Sequence, residues 1–215
     1  MHIHHSTFLF AGQAVHRVDF DPATLTDADL DWLPHRATLD RAVTKRRAEH
    51  LAGRQAAFYA LKAHGISHIA GIGERRRPLW PDGWFGSISH CEGSALAAVA
   101  KRPVGVDIEN IMEEEQAEAL ASGIVNAGER AVLAGSGLPF TLALTLAFSA
   151  KESLYKALSH RIAHLPEFSA GEVVEAGASA LALRLNAGFS PALAGGVYRL
   201  PWRQSGEKVM TLASG

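Results

Sequence analysis

Two stretches of helical periodicity, Asp40 to His64 and Thr141 to His160, stand far apart in the chain, with strand-like runs between and after them; this order constrains the fold most. In the first stretch apolar or small residues recur at Ala48, Leu51, Ala52, Ala56, Phe58, Tyr59 and Leu61, and Gly65 stands where a helix would stop. Gly53 inside it weakens the helix by about 1 kcal/mol relative to alanine but permits close packing or ligand approach. After Ser87 to His90, the runs Ala95 to Ala100 and Val104 to Glu109 flank a turn at Lys101 to Pro103 and predict a hairpin. Short helices are expected over Glu113 to Ser122 and Asn126 to Leu133, the second with Asn126 and Glu129 at the spacing of a capping box. Strand-like pieces follow at Val173-Val174, Leu181 to Leu185, Val197 to Leu200 and Lys208 to Leu212. The mixed order predicts an α+β fold of two lobes, 1–102 and 103–215, meeting near Arg102 to Gly105.

The chain has 215 residues, 47% of them hydrophobic, enough for a sizeable core in one large domain or two small lobes. A formal charge of −1 gives no strong global field, which argues against nucleic acid or an anionic membrane as the main partner. Cys91 is the single cysteine, so no disulfide forms within the chain, as suits a reducing compartment. The start, MHIHHSTFLFAG, lacks the basic region and long apolar run of a secretory signal, and the apolar run Leu138 to Ala150 is too short to span a membrane. A cytoplasmic protein is expected. The three histidines of Met1 to His5 are read as part of a flexible, solvated terminus without a role.

The charged residues inside apolar segments point to chemistry. In a strand over Val104 to Glu109, Asp107 and Glu109 project to one side while Val106 and Ile108 enter the core. Two carboxylates on one face repel unless a cation or proton lies between them, and hard oxygen ligands of this type suit Mg²⁺; the plainer alternative is a solvated strand face. In the second long helix Phe148, Glu152 and Lys156 share a face at i, i+4 and i+8. As an exposed ion pair Glu152 and Lys156 are worth only about 0.3–0.5 kcal/mol, but their neighbours are almost all apolar, which places these charges on a cleft. Glu152 then completes a Mg²⁺ site with Asp107 and Glu109, and Lys151 and Lys156 neutralise phosphate oxygens. Arg47 and Arg54, seven residues apart on the first helix, and Arg77 before a proline supply paired donors for phosphate, or else surface solubility. Two arguments weigh against a hydrolase or thiol enzyme at Ser89, His90 and Cys91: adjacent residues in an extended segment face opposite sides, and GSISH lacks the G-x-S-x-G elbow. Cys91 reads as a small buried filler; His90, with Ser89, is placed to hydrogen-bond a phosphate.

The ordered blocks RRAEHLAGRQAA, RRPLWPDGWFGSISHC, VGVDIE and FSAKESLYKA resemble the 4′-phosphopantetheinyl transferases, in particular their siderophore-synthase branch. The likeness runs from about Arg46 to Leu158. It implies a pseudo-dimeric fold of two similar α+β halves with coenzyme A in the cleft between them. By motif, Asp107, Glu109 and Glu152 match the magnesium ligands. Lys156 matches a lysine contacting the coenzyme A phosphates, and Lys151 stands beside the metal-binding glutamate. Ser89 and His90 match the pair that holds the nucleotide end, and Arg47 (or its neighbour Arg46), Arg54 and Arg77 (or its neighbour Arg76) resemble the basic residues near the adenosine phosphates. Phe148 stands where many relatives have tryptophan.

The implied reaction moves the phosphopantetheine arm of coenzyme A to a serine of an acyl or peptidyl carrier protein, with Mg²⁺, and releases adenosine 3′,5′-bisphosphate. The segment Ile111 to Pro139, through Ile124 and Val125, is expected to dock the carrier, and a monomer suffices. Two rival readings are a non-catalytic coenzyme A or nucleotide sensor and an enzyme dependent on Cys91.

Overall fold

A computed structural model describes residues 1–162 and 164–215 and divides the chain into two compact units, Met1–Val106 and Asp107–Gly215. The first unit opens with a hairpin of β1 (Ile3–Phe10) and β2 (Gln13–Phe20), joined by Ala11 and Gly12 at φ +49° and +81°. Two positive φ values in a two-residue loop match the right-handed twist of the flanking strands, which is why a glycine is placed there. The N-terminus is therefore not a flexible tail. The Met1 ammonium is buried and pairs with Asp29 at 2.5 Å, and the His5 ring stacks on Tyr59 at 4.0 Å.

Helix α1 (Thr44–Lys62) ends before Gly65, which takes φ +76°. Two short paired segments, β3 (Gly71–Ile72) and β4 (Pro78–Leu79), precede β5 (Phe85–Cys91) and β6 (Ser94–Ala100). The sheet order is β1-β2-β6-β5, all antiparallel, and α1 lies across it. Ala48, Ala52, Ala56, Ala57 and Ala60 form the inner side of α1 and pack on Val18, Ala95, Ala97 and Val99. Small side chains let helix and sheet approach closely: a Cβ at Gly53 would stand 2.8 Å from Cγ2 of Ile88. The turn at Glu92 and Gly93, both at positive φ, pairs β5 with β6 from Phe85–Ala100 to Cys91–Ser94.

The hairpin expected between Ala95 to Ala100 and Val104 to Glu109 does not form. The strand β7 (Val104–Asn110) pairs instead with β11 (Lys208–Ser214) in the second unit's sheet. A turn signal followed by an apolar strand reads the same whether the chain folds back or crosses to another sheet, and periodicity alone cannot separate the two. That second sheet, of order β7-β11-β10-β9-β8, is completed by β8 (Gly171–Ala176), β9 (Ala180–Leu185) and β10 (Val197–Ser205). Helix α4 (Phe140–Leu158) packs along it, with α2 (Glu114–Ile124) and α3 (Ala127–Ala134) beside it. The core joins Leu144, Leu146, Leu154, Leu181, Leu183 and Val209 among others. The Asn126–Glu129 capping box forms as its spacing predicts. Polar side chains buried on α4 are partnered: Thr145 Oγ1 accepts from Met112 N at 3.0 Å, and Ser149, Thr211 and Ser153 hydroxyls form a chain with 2.9 and 3.0 Å links. Among the described residues no helix is long and apolar enough to cross a membrane.

Candidate active site

In the second unit, the end of β7 and the last two turns of α4 bring four predicted residues together. Alternation along β7 sends Val106 and Ile108 inward, as expected, but Asp107 is itself only 1% exposed. Its Oδ1 accepts from Lys156 Nζ at 2.5 Å. Burial first, then the charge of Asp107 and to a lesser degree that of Glu152, push the Glu109 carboxyl up to about 8 against the opposing pull of Lys156. Glu152 is raised too, by burial and then by Asp107, with Lys156 working the other way. One buried carboxyl, Asp107, and two half-buried ones, Glu109 and Glu152, around one ammonium thus leave the cluster short of positive charge. Among the described residues no three side chains already stand in a metal-holding arrangement, and Asp107 is tied to the lysine instead. The donor set, all carboxylate oxygen and electrostatically underneutralised, fits a hard divalent cation.

Lys151 does not belong with this group. Its side chain is 4% exposed, and its Nζ lies 2.7 Å from Glu129 Oε1 while donating to the carbonyls of Ile124 at 2.6 Å and Phe168 at 3.0 Å. An ammonium has three donors, so this one is occupied, and its assignment to substrate phosphate is corrected. Successive helix residues diverge by about 100°, which separates Lys151 from Glu152. Beside Glu152 a cavity open to solvent is lined by Tyr155, Leu165, Phe168, Leu183 and Phe189. Phe148 packs on the core and stacks on Phe168 with ring centres 5.3 Å apart, so the smaller aromatic still finds a partner.

Ile124 and Val125, expected as carrier contacts, are each 6% exposed and belong to the hydrophobic core. Their apolar character serves the packing of α2 against α4. On the outer side of α2, Leu120 is 44% exposed.

In the first unit, basic residues gather along α1. Arg46 Nη1 donates to His90 Nε2 at 2.8 Å. Because a guanidinium only donates, that nitrogen is the acceptor, and Nδ1 faces Glu49 Oε2 at 3.6 Å. Arg54 is 5% exposed and donates to the carbonyl of Gly71 at 3.2 Å; burial, with Arg46 adding, brings its pKa down to about 10. His50 is held neutral, its pKa lowered to about 3 by burial, then by Arg54, His35, Arg46 and His90; its Nε2 lies 2.8 Å from His35 Nε2. Arg47 turns away to Asp27, at 2.6 Å. Arg77 follows two left-handed residues, Arg75 and Arg76, and Ser89 is buried in β5. Cys91 is half-buried, not fully buried as expected. Glu49, His35 and His50 were not among the expected residues; for His50 a signal stood in the sequence, because Arg46, His50 and Arg54 follow one another along α1 at i, i+4 and i+8.

The chain belongs to the 4′-phosphopantetheinyl transferase superfamily: the superfamily's model matches residues 103–212, and the model of the 4′-phosphopantetheinyl transferase N-terminal domain matches residues 34–100. It is 49% identical over 210 residues to enterobactin synthase component D of Salmonella typhi, covering 98% of this chain and 89% of that protein. Enterobactin synthase component D of Escherichia coli is 52% identical over 153 residues, 71% of this chain and 74% of the relative. A 4′-phosphopantetheinyl transferase of Mycobacterium tuberculosis is 35% identical over 152 residues, 64% and 60% of the two chains.

Proposed function

We propose that this protein transfers the 4′-phosphopantetheine arm of coenzyme A to a serine hydroxyl of an acyl or peptidyl carrier protein and that it serves siderophore synthesis. The observation that carries the reading is the convergence of Asp107, Glu109 and Glu152 on Lys156, an acidic cluster that lacks neutralising charge. Family membership supplies the reaction class; the cluster supplies groups that suit it.

Asp107, Glu109 and Glu152 would hold Mg²⁺, which when bound supplies charge neutralisation for the pyrophosphate. Lys156 releases part of its contact with Asp107 to meet phosphate oxygen and stabilises negative charge on the leaving group. The carrier serine oxygen bonds to the phosphorus bearing the pantetheine arm, and the bond from that phosphorus to the bridging oxygen breaks. Adenosine 3′,5′-bisphosphate leaves with the bond's electron pair. Glu152, directly or through an intervening water, accepts the serine proton. Arg46, Arg54 and His90 offer donors for the anionic nucleotide end, and Ser89 and Arg77 assist.

The test is mass spectrometry of an apo carrier protein incubated with coenzyme A, Mg²⁺ and this protein. A gain equal to one phosphopantetheine group is expected, and it should vanish with Glu152→Gln. Tight binding of coenzyme A without any covalent product would mark a sensor and overturn the proposal.

A further inference from the structure

We propose that Lys151 and Glu129 act together as positioning residues for Glu152, Lys151 working through Glu129 and never touching substrate. The inference rests on the transferase reading above. Glu129 is 1% exposed, and its carboxylate is shared three ways. Oε1 meets Lys151 Nζ at 2.7 Å and accepts from Val173 N at 2.8 Å, while Oε2 accepts from Asn126 N at 2.9 Å. Lys151 Nζ in turn donates to Ile124 O at 2.6 Å and Phe168 O at 3.0 Å. One charge pair therefore joins the last turn of α2, the cap of α3, the turn at Phe168–Ala170, strand β8 and the middle of α4.

Two consequences reach the site. Lys151 is the helix neighbour of Glu152, so pinning its ammonium fixes the rotation of α4 about its axis and hence the direction in which Glu152 leaves the helix. Phe168, held through its carbonyl, stacks on Phe148 one turn before Glu152 and lines the same cavity as Glu152. A buried ion pair adds little net stability, because desolvation offsets attraction, but its geometry is demanding. Here it sets the aim of a carboxylate that has to meet two others.

The experiment compares full-length wild type with Lys151→Met, Glu129→Gln, the double variant and Lys151→Arg. Because each neutralising single change strands a buried charge, the double variant, which removes both, is the folding-safe member. Three quantities are read: kcat, the coenzyme A dissociation constant without Mg²⁺, and the Mg²⁺ concentration that gives half of the Mg²⁺-induced thermal shift. Residues behind metal ligands typically cost about 10- to 100-fold in metal affinity or activity. Accordingly, each neutralising variant should lower kcat and raise the half-saturating Mg²⁺ concentration by about that factor. Coenzyme A affinity should stay within about twofold, the double variant should be no worse than the worse single, and Lys151→Arg should recover part of the loss. A Lys151→Met protein with coenzyme A affinity weakened about tenfold or more, beside a normal Glu129→Gln protein, would place Lys151 on phosphate and overturn the proposal. So would a folded double variant with wild-type kcat and Mg²⁺ response. The Mg²⁺ thermal shift needs no carrier, so the positioning is read even if the wild type modifies no carrier and the transferase reading fails.

Discussion

Lys156 and Asp107, 49 residues apart in sequence, meet at 2.5 Å with the carboxylate almost wholly buried. A lysine reaching from α4 to β7 provides positive charge among three acidic groups. Asp107→Asn or Lys156→Met should each lower kcat/KM by about 100-fold or more, since the first removes a proposed metal ligand and the second the cation proposed to meet phosphate. Steady-state transfer to an apo carrier checks this; activity within a few-fold of wild type would exclude the pair from catalysis.

Millimolar Mg²⁺ should raise the melting temperature, because a ligand that binds only the folded state stabilises it by mass action. Asp107→Asn combined with Glu152→Gln should abolish the response. Scanning calorimetry with and without chelator gives the answer, and an unchanged response in the double variant would place the ion elsewhere.

His16 and His50 should make the first unit acid-sensitive. Burial lowers His16 to about 4, aided by His5 and His64, and burial with Arg54 and its neighbours lowers His50 to about 3. Each folded-state value lies below the ordinary 6.5, so the unfolded chain takes up protons first as pH falls. The neutral imidazoles' contribution is complete above about pH 6.5 and is lost progressively toward the folded-state values. Denaturant midpoints should fall between pH 6.5 and 4, and His16→Gln or His50→Gln should flatten that slope.

Ile124→Ala should cost about 2–4 kcal/mol of stability, as for other large-to-small changes in a packed core. Urea titration measures the loss. A stability within about 0.5 kcal/mol of wild type, with weakened carrier binding, would restore Ile124 to the docking surface.

Cys91→Ser should leave phosphopantetheine transfer within about twofold of wild type, because the proposed chemistry uses no thiol. Complete loss in a folded protein would favour the thiol-enzyme reading.

Most elements were legible because they rest on local rules: the periodicity of α1 and α4, the Asn126–Glu129 cap, and the alternation that buries Val106 and Ile108. The β1–β2 hairpin was not. Its histidines read as solvated ends until Tyr59 supplied a stacking partner from another element. The pairing of β7 with β11 was equally hidden, since strand partners are chosen by long-range contacts that leave no mark on the strand itself.

The sequence by itself determined which residue types could do chemistry and on which elements they stand, because helix and strand periods fix which neighbours share a face. Tertiary structure alone decided where each charge is neutralised. Asp107 meets Lys156, Lys151 is drawn away to Glu129, and Arg46 rather than Arg47 reaches His90. The physical reason is that a long charged side chain samples many directions from one backbone position, and burial leaves open only the one in which its charge finds a partner.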